Sequence, residues 1–138
     1  MPLSCCSGAG ARWWRARRPL GAVVNVASIA GLAARGSSMD YGASKAGAVA
    51  LTRHLARGLG PAIRVNAVAP GAVDSDWKIE WTEEQRRSSV GQAPMGRRCT
   101  TEDITEAIVF LGCGAAMVTG QVLVVEEWFR TGSHVRPG

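Results

Sequence analysis

Three short apolar runs, residues 22–26, 63–68 and 121–125, alternate with longer segments of helical character, and this order constrains the fold more than any other feature. Short runs rich in valine and isoleucine, bounded by glycine and proline, read as buried strands. Between the first two lies a segment from about Asp40 to Leu59, with Gly58, Gly60 and Pro61 supplying a helix stop. Between the second and third, Ile104, Ala107, Ile108 and Leu111 fall at i, i+3, i+4 and i+7, and Thr100 with Asp103 has the spacing of an N-cap pair. A β-α-β-α-β order implies parallel strands joined by right-handed crossovers, hence an α/β fold built on an open sheet. A further helix over residues 3–17 is expected as a remnant, weakened by Gly8 and Gly10.

A chain of 138 residues, 46% of them hydrophobic, has the material for one core and no second domain. Its net charge of +5 is uneven, because Arg12, Arg15, Arg17, Arg18 and Arg35 all precede the first acid, Asp40. Such a start can serve as a transit segment or a nucleic-acid-binding arm. Solvated arginines at the end of a helix, complementing its dipole, are the alternative, which the family resemblance given below favours, and no nucleic-acid partner is expected. Cys5, Cys6, Cys99 and Cys113 form no C-x-x-C pair and have no histidine at metal-ligand spacing, so reduced thiols and no metal site are expected. Asn25 and Ser28 interrupt the longest apolar run, which falls short of the ~20 residues a membrane helix needs. A cytoplasmic protein with no membrane partner is the expectation.

The chemistry-bearing residues gather around the first strand and the helix after it. Tyr41 and Lys45 stand at i and i+4, which puts an ammonium on the same helix face as a phenol. A phenol ordinarily ionises near pH ~10, and a nearby cation favours its phenolate, which is a way to make tyrosine an acid/base catalyst. Ser28 follows the first strand, so its hydroxyl emerges at a strand's carboxyl end, where open α/β sheets bind ligands. Taken singly, the Tyr/Lys spacing fits an ordinary surface pair and the serine a turn residue. Strand, serine, small-residue loop and Tyr/Lys helix in that order form a narrower pattern, and it favours the functional reading. A glycine-rich dinucleotide fingerprint and a G-x-S-x-G nucleophile elbow are both missing, since neither Gly8-Ala-Gly10 nor Gly112-Cys-Gly114 follows a strand.

Five segments in order, VVNVAS with Ser28, YGASK with Tyr41 and Lys45, IRVNAVAPG ending in Pro70 and Gly71, APMGRRCTTEDITEAIVFL, and TGQVLVV, resemble the short-chain dehydrogenase/reductase family. The resemblance covers residues 21–125, with a basic segment at 1–20 and a divergent tail at 126–138. It implies a partial Rossmann-type doubly wound parallel sheet of about three strands, the carboxyl half of such a fold. It also implies an oxidoreductase that uses NAD or NADP, acts on a small-molecule carbonyl or secondary alcohol, and forms a homo-oligomer. In that family Tyr41 would exchange a proton with the reacting oxygen, Lys45 would bond the nicotinamide ribose, and Ser28 would hold the reacting oxygen. Pro70 and Gly71 match the turn beside the nicotinamide, Val73 would offer backbone groups to the carboxamide, and Ser75 stands where threonine is usual.

The chain departs from the family in three ways. No segment of the type T-G-x-x-x-G-x-G is present, nor the residue that selects NAD or NADP, nor the Asn-Asn-Ala-Gly strand end. Aligned on the family, the sequence starts partway through the helix before the Ser28 strand. Glu126-Glu127-Trp128 replaces a common Asp-Gly-Gly. A second expectation therefore stands beside the enzyme: a truncated, non-catalytic homologue acting as an interaction module or gene fragment, with a bared edge on the Ser28 strand and low stability. The polar stretch over residues 75–96 reads equally as a substrate lid or as a solvated surface helix. His54 is expected on the surface or at an interface.

Overall fold

The computed structural model describes residues 20–33, 38–74, 82–84, 87, 90 and 95–126. The expected helix over residues 3–17, most of the polar stretch and the tail beyond Glu126 lie outside them. Strand β1 is Gly21–Val26, α1 is Met39–Leu59, β2 is Ile63–Pro70, α2 is Thr101–Val109 and β5 is Val122–Val125. A two-residue pair, β3 (Val73–Asp74) with β4 (Cys99–Thr100), was not legible in the sequence.

The main sheet has the order β1-β2-β5, and both pairings are parallel. This is the expected β-α-β-α-β arrangement, with α1 and α2 as crossovers. Because β2 is central, it is buried from Arg64 through Ala69. The period of two along a strand divides its side chains between two cores. Ala67 and Ala69 join Ala27 and Val49 beneath α1, with Leu32, Ala48, Val122 and Val124 packed around them. Val68 faces the other way, onto Leu111 and Ala115, with Val24, Ile104, Ala107 and Ile108 alongside. Among the described residues β1 pairs only with β2, and Val23 and Val26 remain substantially exposed.

Each helix starts as its local sequence dictates. Ser38 caps α1 by accepting from Tyr41 N at 3.2 Å, and Gly60 ends it. In α2 the capping box is complete: Thr100 Oγ1 accepts from Asp103 N at 3.3 Å, and Thr100 N donates to Asp103 Oδ2 at 2.8 Å. The regular helix stops at Val109, short of the periodic Leu111, which falls in a π-type turn, Phe110–Gly114. There Arg64 of β2 donates from Nη1 to Leu111 O (2.7 Å) and from Nη2 to Gly112 O (2.8 Å). These are carbonyls a helix end leaves without partners, and the cation complements the negative pole of the helix.

Candidate functional site

The carboxyl ends of β1 and β2 lie side by side, since Val26 is in register with Val68 and Ala27 N donates to Val68 O at 2.8 Å. The residues singled out in the sequence leave from these ends or face them from α1. Ser28 is two residues beyond β1 and 8% exposed; it caps the 3-10 turn Ile29–Gly31 by accepting from Ala30 N at 3.2 Å. With one lone pair engaged by the backbone, the hydroxyl retains its hydrogen for a ligand oxygen.

Tyr41 and Lys45 share one face of α1, with Nζ 5.6 Å from the ring centroid, within reach of a cation–π attraction. Tyr41 is 41% exposed. Lys45 Nζ also donates to Val26 O at 3.1 Å, tying the helix to the strand that delivers Ser28. Ala27 turns its N–H toward β2, so Val26, one residue back, presents its carbonyl to the opposite edge, which pairs with no strand among the described residues. Asn25 Nδ2 adds a second tie, donating to Thr52 Oγ1 at 2.9 Å. Lys45 thus ties the helix face it shares with Tyr41 to the strand end that leads into Ser28.

Pro70 closes β2, and Gly71 N donates to Val125 O at 3.0 Å. Gly71 is crowded by Glu126: a Cβ there would overlap Glu126 Cγ and stand 2.7 Å from its Cδ. A side chain at this position would therefore require the flexible Glu126 side chain to move aside. Val73, expected to offer backbone groups to a carboxamide, pairs with Cys99, and its carbonyl accepts from Arg98 Nη2 at 3.4 Å. Ser75 lies outside the described residues.

Two features of the site were missed in the sequence. One is the Lys45 contact with the Val26 carbonyl. The other is the close approach of Gly31 to the backbone of α1, where a Cβ would lie 2.5 Å from Lys45 C. Only the small-residue character of the loop hinted at it. Among the described residues no cluster of His, Cys, Asp or Glu could hold a metal ion, and no helix is long and apolar enough to cross a membrane. His54 is exposed, Cys99 is buried and Cys113 is exposed.

A three-stranded parallel sheet with helices on both faces defines the class of Rossmann-type α/β folds. Comparison with known proteins sharpens this. The family described as enoyl-(acyl carrier protein) reductase matches residues 3–127. The short-chain dehydrogenase/reductase homolog YusR of Bacillus subtilis is 40% identical over 109 residues, covering 78% of this chain and 81% of that protein. The chain belongs to the short-chain dehydrogenase/reductase family. The 3-oxoacyl-acyl-carrier-protein reductase FabG of Pseudomonas aeruginosa is 42% identical over 117 residues, covering 83% of this chain and 44% of the relative. A Brucella melitensis 3-oxoacyl-acyl-carrier-protein reductase solved with bound NAD superposes with a TM-score of 0.67 at 32% identity, covering 84% of this chain and 42% of that one. The chain thus spans about half the length of most of the curated relatives it matches.

Proposed function

We propose that the chain carries the catalytic end of an NAD(P)-dependent oxidoreductase acting on a carbonyl or secondary alcohol, with Tyr41 as the acid/base. The observation that carries this reading is the Lys45 ammonium 5.6 Å from the ring of a partly exposed tyrosine and bonded to Val26 O, two residues before Ser28. The nicotinamide end of a dinucleotide fits these residues: Lys45 donates one N–H to Val26 O and has two further N–H groups for ribose hydroxyls, and Pro70 and Gly71 border the same strand ends. When bound, the nicotinamide supplies or accepts the hydride. Ser28 donates its hydrogen bond to the reacting oxygen and holds it toward Tyr41. In reduction the Tyr41 hydroxyl gives that oxygen its proton, and in oxidation the Tyr41 oxygen takes it back. Relatives named as 3-oxoacyl reductases support a carbonyl-bearing substrate. A homo-oligomer is part of the same proposal.

A second reading is favoured by one observation: no glycine-rich turn of the pyrophosphate-binding type follows any strand of the sequence. On this reading the chain is a non-catalytic homologue. Titration with NADH and NADPH, followed by energy transfer from tryptophan, separates the two. Saturable binding in the micromolar range supports the oxidoreductase. Absence of binding to the folded chain overturns it.

A further inference from the structure

The loop after β1 and the first turns of α1 meet backbone to backbone. A Cβ on Gly31 would lie 2.5 Å from Lys45 C, 2.6 Å from Ala46 N and 2.7 Å from Lys45 O. From the opposite side, a Cβ on Gly42 would stand 3.2 Å from Ala30 O. Each element thus offers a glycine to the other's main chain. Carbon atoms in ordinary contact sit ~3.5–4.0 Å apart, so a methyl at Gly31 requires the loop and helix to separate by roughly 1 Å. No rotamer change relieves this, because both surfaces are peptide backbone.

We propose that Gly31 is a positioning residue that sets the distance between Ser28 and the Tyr41–Lys45 pair. This rests on the reading of those three residues as the reacting site. Gly31 N donates to Ser28 O at 3.0 Å and Ala30 N to Ser28 Oγ at 3.2 Å, so the 3-10 turn carries any displacement of Gly31 to the serine hydroxyl. Across the contact lies the peptide of Lys45 itself, whose ammonium reaches back to Val26 O. The two halves of the site are therefore held at the spacing that a missing Cβ permits. A misplacement of about 1 Å at such a site lowers the rate by roughly 10²-fold.

The test uses Gly31→Ala with Gly47→Ala as control, since a Cβ on Gly47 meets nothing within 4 Å. Tyr41 is the only tyrosine of the chain, so ¹³C-tyrosine labelling gives a single ring reporter. Lys45 and Lys78 are the only lysines, and Lys78→Arg leaves Lys45 as a second reporter. The expected result is a cooperative melt for Gly31→Ala with both reporters displaced from wild type, while Gly47→Ala leaves them in place. Where the wild type turns over, Gly31→Ala lowers kcat by roughly 10²-fold without a matching rise in KM, a split that loss of folded protein does not produce. Reporters that coincide with wild type in a folded Gly31→Ala overturn the proposal. If Gly31→Ala does not fold, Gly42→Ala carries the same test with a smaller displacement, and coincident reporters there overturn it equally. Failure to bind NADH or NADPH counts instead against the oxidoreductase reading and leaves the reporter positions untouched.

Discussion

Replacing Arg64 by methionine is expected to destabilise the chain by about 3 kcal/mol. Arg64 is 8% exposed, and its Nη1 and Nη2 reach Leu111 O at 2.7 Å and Gly112 O at 2.8 Å, with Val118 O a weaker third partner at 3.3 Å. Hydrogen bonds to charged groups contribute about 1.5–3 kcal/mol each, and carbonyls left buried without a donor cost ~1–3 kcal/mol each. Two good bonds set the gross loss at roughly 3–6 kcal/mol. Against this stands the desolvation of the guanidinium, whose Nε is buried without a partner. Methionine keeps the aliphatic packing but donates nothing. Urea unfolding followed by circular dichroism reads the effect as a lower midpoint at unchanged slope. Arg64→Lys should recover only part of the loss, because one ammonium cannot span carbonyls that a planar fork reaches from two nitrogens. An Arg64→Met midpoint equivalent to wild type within about 0.5 kcal/mol refutes the reasoning.

Gly47 is exposed inside α1 with open space around it, so Gly47→Ala should stabilise by about 0.5–1 kcal/mol, read as a raised melting temperature; a fall contradicts the helix assignment there. The Arg97 guanidinium, then the Thr100 N–H, hold the Asp103 carboxyl well below the usual carboxylate range. Its folded value lies below its unfolded value, so its contribution is complete above about pH 5 and is lost as pH falls through the acid range. Asp103→Asn should flatten the melting temperature's dependence on pH below about 5, and an unchanged slope removes Asp103 from the account.

The parts of the fold that local pattern encodes were legible in advance. Valine-rich β1 and β5, the glycine-stopped α1 and the Thr100–Asp103 capping box all follow from residues within a few positions of one another. Long-range partners were not. Arg64 reads as one polar residue in a strand, yet it is buried because its acceptors lie 47 and 48 residues away. Strand β2 runs to Pro70 rather than Val68 because Pro70 pairs with Val125, a contact that apolar patterning does not report. At the site, the Tyr41–Lys45 spacing predicted a shared face, which the structure has. The Lys45 bond to Val26 O and the Gly31 contact depend on how closely α1 lies on the sheet, and small residues alone leave that distance open.

The central claim, that Tyr41 exchanges the proton at the reacting oxygen, is tested most directly by comparing wild type with Tyr41→Phe in NAD(P)H-dependent reduction of a ketone or 3-oxoacyl thioester, with cofactor binding measured in parallel. The account predicts saturable cofactor binding in both proteins and a kcat lowered by roughly 10²–10⁴-fold in Tyr41→Phe. Turnover by Tyr41→Phe at the wild-type rate contradicts it.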